Sequence, residues 1–399
     1  MGTGFAEWLN DNIGRLVELR RDLHAHPELG FEEERTSRIV ADMLRQADIE
    51  VTRNVGRTGV VGVIKGRLPG QRSIGLRADM DALPIHEATG LSYASQSSGC
   101  MHACGHDGHT TMLLGAALYL AENPDFGGTL NLIFQPAEEG RGGANSMLAD
   151  GIFDRFPCDA IYGLHNQPGG PVGTMAGRLG PSMAAADFWE VTFRGVGGHG
   201  GVAPHQSTDI TYAQAQLVVS LQGIVGRSLA PLETGVISVG YIHGGSAVAP
   251  SVIPSELVIG GTARSFRPET RDLIERRMRE VTEQTARTWG CKAEFKFNRS
   301  TSVVVNADEP FKAASAAAMA TVGERNYNGS LDQSCAGEDF ANMMDVRPGA
   351  FLWIGNGAEP DGTFHQLHTP HYNFNDEIIP TGVRYWINLA YSELGGRCV

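Results

Sequence analysis

The 399-residue sequence has no apolar run approaching the roughly 18 residues that a membrane span needs, so no membrane partner is expected. Basic residues are scarce relative to acidic ones, 32 against 45, for a formal net charge of −13. No Lys/Arg run exceeds a pair such as Arg276–Arg277. An acidic chain repels nucleic-acid phosphate and anionic lipid, so nucleic acid is not an expected partner either. The 51 glycines follow no fixed period, which excludes a collagen-like chain. Internal repeats and low-complexity segments are also missing, which excludes solenoids and arrays. With 42% hydrophobic residues the chain is too apolar to stay disordered. The first fifteen residues carry Glu7, Asn10, Asp11 and Asn12 and lack the apolar stretch of an export signal. The start Met1-Gly2 is like that of a myristoylated chain, but Ala6 stands where Ser or Thr is wanted. Six cysteines without an export signal point to reduced thiols and a cytoplasmic location. Cys100, Cys158, Cys291, Cys335 and Cys398 read as inert; Cys104 stands apart.

What is present is an alternation of strand and helix signals. The length is too great for one core and predicts two or three domains. Residues 34–47 form an amphipathic helix pattern, with Ile39, Met43 and Leu44 on one face. Apolar runs at 59–64, 73–77, 130–134 and 160–164 read as buried strands, and 110–121 as a buried helix. This is the pattern of an α/β layer structure with a mostly parallel sheet flanked by helices. From 186 the pattern changes. A half-exposed strand (187–194) is followed by a helix (208–224), two strands (236–242 and 256–264), a charged helix (269–289) and a strand (292–298). That β-α-β-β-α-β order predicts an inserted α+β, ferredoxin-like domain at 186–300. Residues 1–185 and 301–399 would then form one catalytic domain, resumed by a helix at 310–322 and a strand at 350–354.

The chemistry-bearing residues gather at strand ends. MHACGHDGH (101–109) places Cys104 and His106 two apart around Gly105, a thiolate and an imidazole of the kind that bind zinc and similar ions. Asp107 reads as the N-cap of the helix that follows. QPAEEG (135–140) puts Glu138 and Glu139 after an apolar strand, in the crevice where open α/β sheets bind ligands. If one acid binds a metal, its neighbour is held close enough to act as a general base. His165 ends another strand, and HQLHTPHY (365–372) adds late histidines. A thiolate, three imidazoles and a carboxylate exceed what one tetrahedral ion needs and suit two ions with one bridging ligand. RADMDALP (77–84) supplies Asp81, a candidate to fix a metal-bound imidazole from behind. In the inserted domain, GGHGG exposes His199 among glycines. Arg264 ends a strand there as a possible clamp for a substrate carboxylate.

Taken in order, RADMDALP, MHACGHDGH, QPAEEG, GLHN, GGHG, VIP…GTAR and GEDF resemble the aminoacylase and hippurate-hydrolase family of dinuclear metallopeptidases. That family includes indole-acetyl-amino-acid hydrolases. The resemblance runs from HAHPELG (24–30) to YNFND (372–376). It implies two divalent ions (zinc, manganese, cobalt or nickel) with Cys104 as bridging ligand. His106 and His165 would complete one site, and Glu139 and His368 the other. It further implies Glu138 as general base and His199 as oxyanion donor reaching a partner subunit's active site. Arg264, with Ser251 and Asn166, would contact the substrate. The lid would mediate a homodimer or higher homo-oligomer. Three positions depart from the family pattern. Ser251 replaces the usual Asn thirteen residues before Arg264, Gln167 replaces Trp, and Ala336 replaces Ser.

The expected reaction is metal-dependent hydrolysis of the amide bond of an N-acyl amino acid, with no acyl-enzyme. Two other readings remain. One is hydrolytic deamination or amide hydrolysis of a small aromatic acid on the same site; the other is a non-catalytic small-molecule binding protein.

Overall fold

A computed structural model describes residues 4–358 and 361–399. The chain divides into two compact units, one of Met1–Ser182, Val304–Asp332 and Asp339–Val399, the other of Met183–Val303 and Gln333–Glu338.

The larger unit is built on an eight-stranded sheet. Its order is Glu50–Val55, Gly59–Lys65, Gly127–Gln135, Leu68–Asp79, Ala160–Pro168, Gly349–Gly357, Met175–Ala176 and Tyr327–Asn328. The four central strands, Gly127–Gln135 to Gly349–Gly357, run parallel; the pairings of Glu50–Val55 and Gly59–Lys65 are antiparallel. Central parallel strands are covered on both faces, which explains why LNLIF and AIYGL are apolar without alternation. Helices flank the sheet. His106–Glu122 is buried over nearly its whole length, and Leu113, Leu114, Ala116, Ala117 and Leu120 are wholly inaccessible. Each such leucine contributes about 1.5–3 kcal/mol by leaving water. Ile379–Leu394 packs beside it with Val383, Trp386, Ile387 and Leu389 in the same core.

The register fixes the functional edge. Asp79 pairs with Gln135 and Arg77 with Gly163, so the parallel strands finish together. The loops that follow therefore converge on one rim.

Asp107 is not the N-cap of the following helix. The helix starts at His106 with Gly105 as its cap residue, φ 96°. Asp107 lies inside the first turn, fully buried, and its carboxylate is drawn sideways to His24 Nδ1 at 2.8 Å. A side chain so engaged cannot fold back onto its own backbone.

The smaller unit has a four-stranded antiparallel sheet, ordered Gly235–Gly244, Glu256–Ser265, Ala185–Arg194 and Lys292–Thr301. Helices Ile210–Ser228 and Pro268–Thr288 complete the β-α-β-β-α-β order. Leu217, Leu221, Ile259, Ile274 and Met278 form its separate core. Segment 333–338 joins it through Ser334, whose carbonyl accepts the Ala184 N–H at 3.0 Å. Among the described residues no helix is long and apolar enough to cross a membrane.

Candidate metal centre

The five predicted ligands arrive from four segments, Cys104 and His106 from the same one. Cys104 precedes the buried helix and His106 opens it, Glu139 follows strand Gly127–Gln135, His165 lies in the second half of strand Ala160–Pro168, and His368 sits in a late loop. Cys104 Sγ lies 3.4 Å from His165 Nε2 and 3.3 Å from His368 Nε2. His368 Nε2 is 3.0 Å from Glu139 Oε1, and the same oxygen is 3.9 Å from His106 Nε2. The ligating atoms of Cys104, His106 and His165 all lie within 4.8 Å of one another, as do those of Cys104, Glu139 and His368. The two triads share one thiol. His106, Glu138 and Glu139 form a third such group.

The backbone at these loops is shaped for the purpose. At Gly105 an added Cβ would fall 2.4 Å from Asn166 Oδ1 and 2.7 Å from the Tyr372 hydroxyl, besides facing a positive φ. Only glycine fits between the thiol and the imidazole. Ala137 and His368 hold φ of 53° and 62°. Left-handed conformations cost a residue with a Cβ about 1 kcal/mol or more, and they persist where surrounding contacts impose them. At His368 such a contact is the hydrogen bond from its N–H to the Ala103 carbonyl, 2.8 Å.

A second layer holds the ligands. Asp81 uses both oxygens: Oδ1 lies 3.2 Å from His106 Nδ1, and Oδ2 accepts the Glu139 N–H at 2.9 Å. One carboxylate thus ties the ligands of two loops. His165 Nδ1 lies 2.8 Å from the Asn166 carbonyl, which fixes the proton on Nδ1 and leaves Nε2 a lone-pair donor. His109, given no role from the sequence, bridges Asp79 Oδ1 at 2.6 Å and Asn166 Oδ1 at 2.7 Å. Asp79 Oδ2 also lies 3.6 Å from His106 Nε2. Gln135 and Asp339 were equally unassigned. Arg77 donates to Gln135, whose amide donates to Asp339 Oδ1 at 2.6 Å. The Asp339 N–H in turn approaches Glu138 Oε1 at 3.4 Å.

The electrostatics call for positive charge. Burial pushes the Cys104 thiol well above its ordinary range, and Glu139, Glu138 and Asp79 push it further. Burial alone would lower His106, but Asp79 and Asp81 outweigh it and raise the imidazole to about 10. His102, four residues earlier and as deeply buried, goes the other way, to about 4, because burial dominates there. His165 is likewise held neutral by burial. His106 Nε2 is buried and makes no hydrogen bond among the described residues. A thiol, three imidazoles and a carboxylate around an orphaned buried nitrogen, amid surplus carboxylates, fit a pair of divalent cations.

The predicted substrate contacts are placed differently. Asn166 is wholly buried, and its amide is taken at both ends, by His109 and by the Tyr372 hydroxyl at 2.6 Å. It is a strut behind the cluster. In the smaller unit, His199 is exposed on a two-residue strand paired with Val252. Its Nδ1 accepts the N–H groups of Gly201 and Val202, both at 3.2 Å. The ring proton is therefore on Nε2, a free-standing donor. Ser251 is exposed, and its carbonyl accepts the Gly200 N–H at 2.8 Å. Arg264 is half-buried. It donates to the carbonyls of Cys335 at 3.1 Å and Ala263 at 3.0 Å, and to the Thr262 hydroxyl.

Comparison with known proteins agrees with this chemistry. The family model "Peptidase family M20/M25/M40" matches residues 75–392. A hippurate hydrolase of Campylobacter jejuni is 39% identical over 384 residues, 96% of this chain and 98% of that protein. An N-acetylcysteine deacetylase of Bacillus subtilis is 39% identical over 379 residues, 94% of this chain and 96% of that protein. A crystal structure from Bacillus subtilis, described as a dinuclear metal binding peptidase from the M20 family, superposes with a TM-score of 0.82. It is 35% identical and covers 97% of this chain and 100% of its own. The chain belongs to the M20/M25/M40 peptidase family. Within that family it is an amidohydrolase, of the kind whose relatives include hydrolases and deacetylases.

Proposed function

We propose that the chain hydrolyses the amide bond of an N-acyl amino acid, using Cys104, His106, His165, Glu139 and His368 to hold two divalent cations. The observation that carries this reading is the pair of ligand triads sharing Cys104, with Glu138 beside them. Cys104 would bridge, His106 and His165 would complete one site, and Glu139 and His368 the other. When bound, the cations acidify water and polarise the amide carbonyl. The remaining work falls to the chain. Glu138 accepts the proton of the attacking water and returns it to the departing amine nitrogen, which would otherwise leave as an unstable anion. Asp81 keeps His106 and the Glu139 backbone in place by bonding to both. His199 offers Nε2–H as a donor for an oxyanion. Arg264 offers a guanidinium for the substrate carboxylate, with Ser251 nearby in sequence. No nucleophilic Ser or Cys is needed, because Cys104 serves as a ligand.

The names of the two relatives above both point to an amide on an amino-acid nitrogen. In keeping with the family resemblance, the unit containing residues 186–300 is proposed as a lid and as the contact for a homodimer in the cytoplasm. It exposes Val202, Tyr212, Val219 and Leu232, and light scattering on the purified chain tests the dimer.

The deciding experiment is release of the free amino acid from benzoyl-, acetyl- and indole-acetyl-amino acids, with Zn2+, Mn2+, Co2+ or Ni2+ supplied in turn. The expected result is turnover of at least one conjugate that a chelator abolishes and added metal restores. Turnover indifferent to chelation would end this reading.

A further inference from the structure

The HAHPELG segment and the residues just after it have so far no part in the chemistry. They run along the back of the site. The Glu28 carbonyl accepts the Ala82 N–H at 2.8 Å, and Gly30 comes so close to Ala137 that an added Cβ would lie 3.0 Å from its Cα. The Gly30 carbonyl accepts from the Arg141 guanidinium at 2.8 Å. Glu33 follows at the start of helix Glu34–Gln46. An acid there would ordinarily serve the helix amides, but Glu28 already accepts the N–H groups of Arg35 and Thr36, each at 2.8 Å. The Glu33 side chain is thereby released. It is fully buried and turns to another element.

There it meets Ala137. Glu33 Oε1 accepts the Ala137 N–H at 2.8 Å, and Oε2 accepts from the Thr58 hydroxyl at 2.5 Å. Ala137 is the buried residue with φ 53° immediately before the paired acids. Its carbonyl is pinned from the other side by the Gly143 N–H at 2.9 Å. A strained peptide held at both faces dictates the exit direction of the chain, and Glu138 and Glu139 are the next two residues. Asp81 fixes the same turn one step further on, through the Glu139 N–H. The buried carboxyl of Glu33 is a costly group to place in a core without such a task.

We propose that Glu33 is a positioning residue for the paired-acid loop: by holding the Ala137 amide it sets the backbone that aims Glu138 and Glu139. The inference rests on the reading of Glu139 as a ligand and Glu138 as the proton carrier. Glu33 touches neither substrate nor cation; it acts through Ala137. The need is for an acceptor oxygen at that point rather than for a charge, so an amide of the same shape serves as well.

The test compares the full-length protein with Glu33→Ala and Glu33→Gln. Zn2+ content is titrated against a competing chelator, and kcat and KM are measured on whichever N-acyl amino acid the native chain cleaves. Removing a partner of this layer typically lowers metal affinity or activity about 10- to 100-fold. Glu33→Ala is therefore expected to lose about that factor in kcat with KM within about threefold. It should weaken one Zn2+ equivalent and leave the other as in the native chain, because only Glu139 depends on the loop. Glu33→Gln should restore both. Should Glu33→Ala fail to fold, Glu33→Asp, one methylene too short to reach, makes the same comparison.

Native kcat and two unaltered equivalents in Glu33→Ala would overturn the proposal. So would equal weakening of both equivalents in step with a lowered melting temperature, or a Gln variant no better than Ala. A native chain that binds no Zn2+ and ignores chelators is a different result, and it would remove the metal reading itself.

Discussion

The two units hold their chemistry-bearing residues in opposite ways. In the larger one, Cys104, His106 and His165 are buried, and second-layer partners fix them: Asp81 behind His106, the Asn166 carbonyl behind His165. In the smaller one, His199 and Ser251 stand in solvent, and the contacts of His199 there are to backbone N–H groups of its own loop. The difference follows from desolvation. Gathering several carboxylates, a thiol and imidazoles in a core is costly unless they are paired, so the fold supplies partners such as Asp81 and the Asn166 carbonyl beforehand and leaves His106 Nε2 for a cation. An exposed histidine owes nothing to its surroundings until a ligand arrives. One region is a preformed cage; the other presents single groups.

Substitutions can break that contrast, the largest effect being expected in the cage. Glu138→Gln keeps the shape and removes the proton carrier. A general base is typically worth about 10²–10⁴ in rate, so kcat should fall by that order while both metal equivalents stay bound. Loss of metal together with activity would make Glu138 a ligand and not a base. For His199→Ala a fall of about 10²–10³ in kcat is expected, the usual cost of one oxyanion donor. Because the ring is exposed, metal content and melting temperature should stay within error of the native protein. A drop in metal content in that variant would show that the two regions are not built on different principles.

The same contrast governs how much the sequence discloses. The strand-end motifs were legible because their residue types are unusual in apolar surroundings, and helix 34–47 was legible because its one-sided pattern matches Glu34–Gln46. The β-α-β-β-α-β order of the smaller unit was readable for the same reason, with strand Lys292–Thr301 alternating between exposed and half-buried residues over most of its length. Less visible was Ile379–Leu394, whose first turn carries Pro380 and Gly382, residues that read as helix breakers. The polar edge strand Glu50–Val55 gave no strand signal either, since only Val55 of its six residues is buried. The tie from Asp107 to His24 and the ties of Asn166 to His109 and Tyr372 are not visible in local sequence because their partners are distant in it. His24 is 83 residues from Asp107, and Tyr372 is 206 from Asn166. Local spacing identifies ligands, which must come in recognisable types. It does not identify the struts behind them, because any polar residue of the right reach could serve.

The struts themselves provide the smallest and most discriminating effect. His24 is wholly buried, with Nδ1 2.8 Å from Asp107 and Nε2 3.3 Å from Glu87. Burial opposes its charge, but the hydrogen bonds to Asp107 and Glu87 win and raise it to about 9 from the usual 6.5. Asp107 moves correspondingly downward and stays ionised throughout the window that matters. The folded state therefore holds a proton that the unfolded chain releases near pH 6.5. Its stabilisation is complete below that pH and disappears as pH rises through about 9. A shift of this kind is worth on the order of 3 kcal/mol. Thermal melts between pH 6 and 9.5 should show native stability falling over that range, and His24→Gln should flatten the slope. By contrast, Arg194 with Glu256 and Glu294 in the smaller unit is a solvent-exposed cluster, and Arg194→Ala should leave the slope unchanged. If the Arg194 variant flattened the curve and the His24 variant did not, the pH response would belong to the surface, and the buried ties of the larger unit would be electrostatically silent.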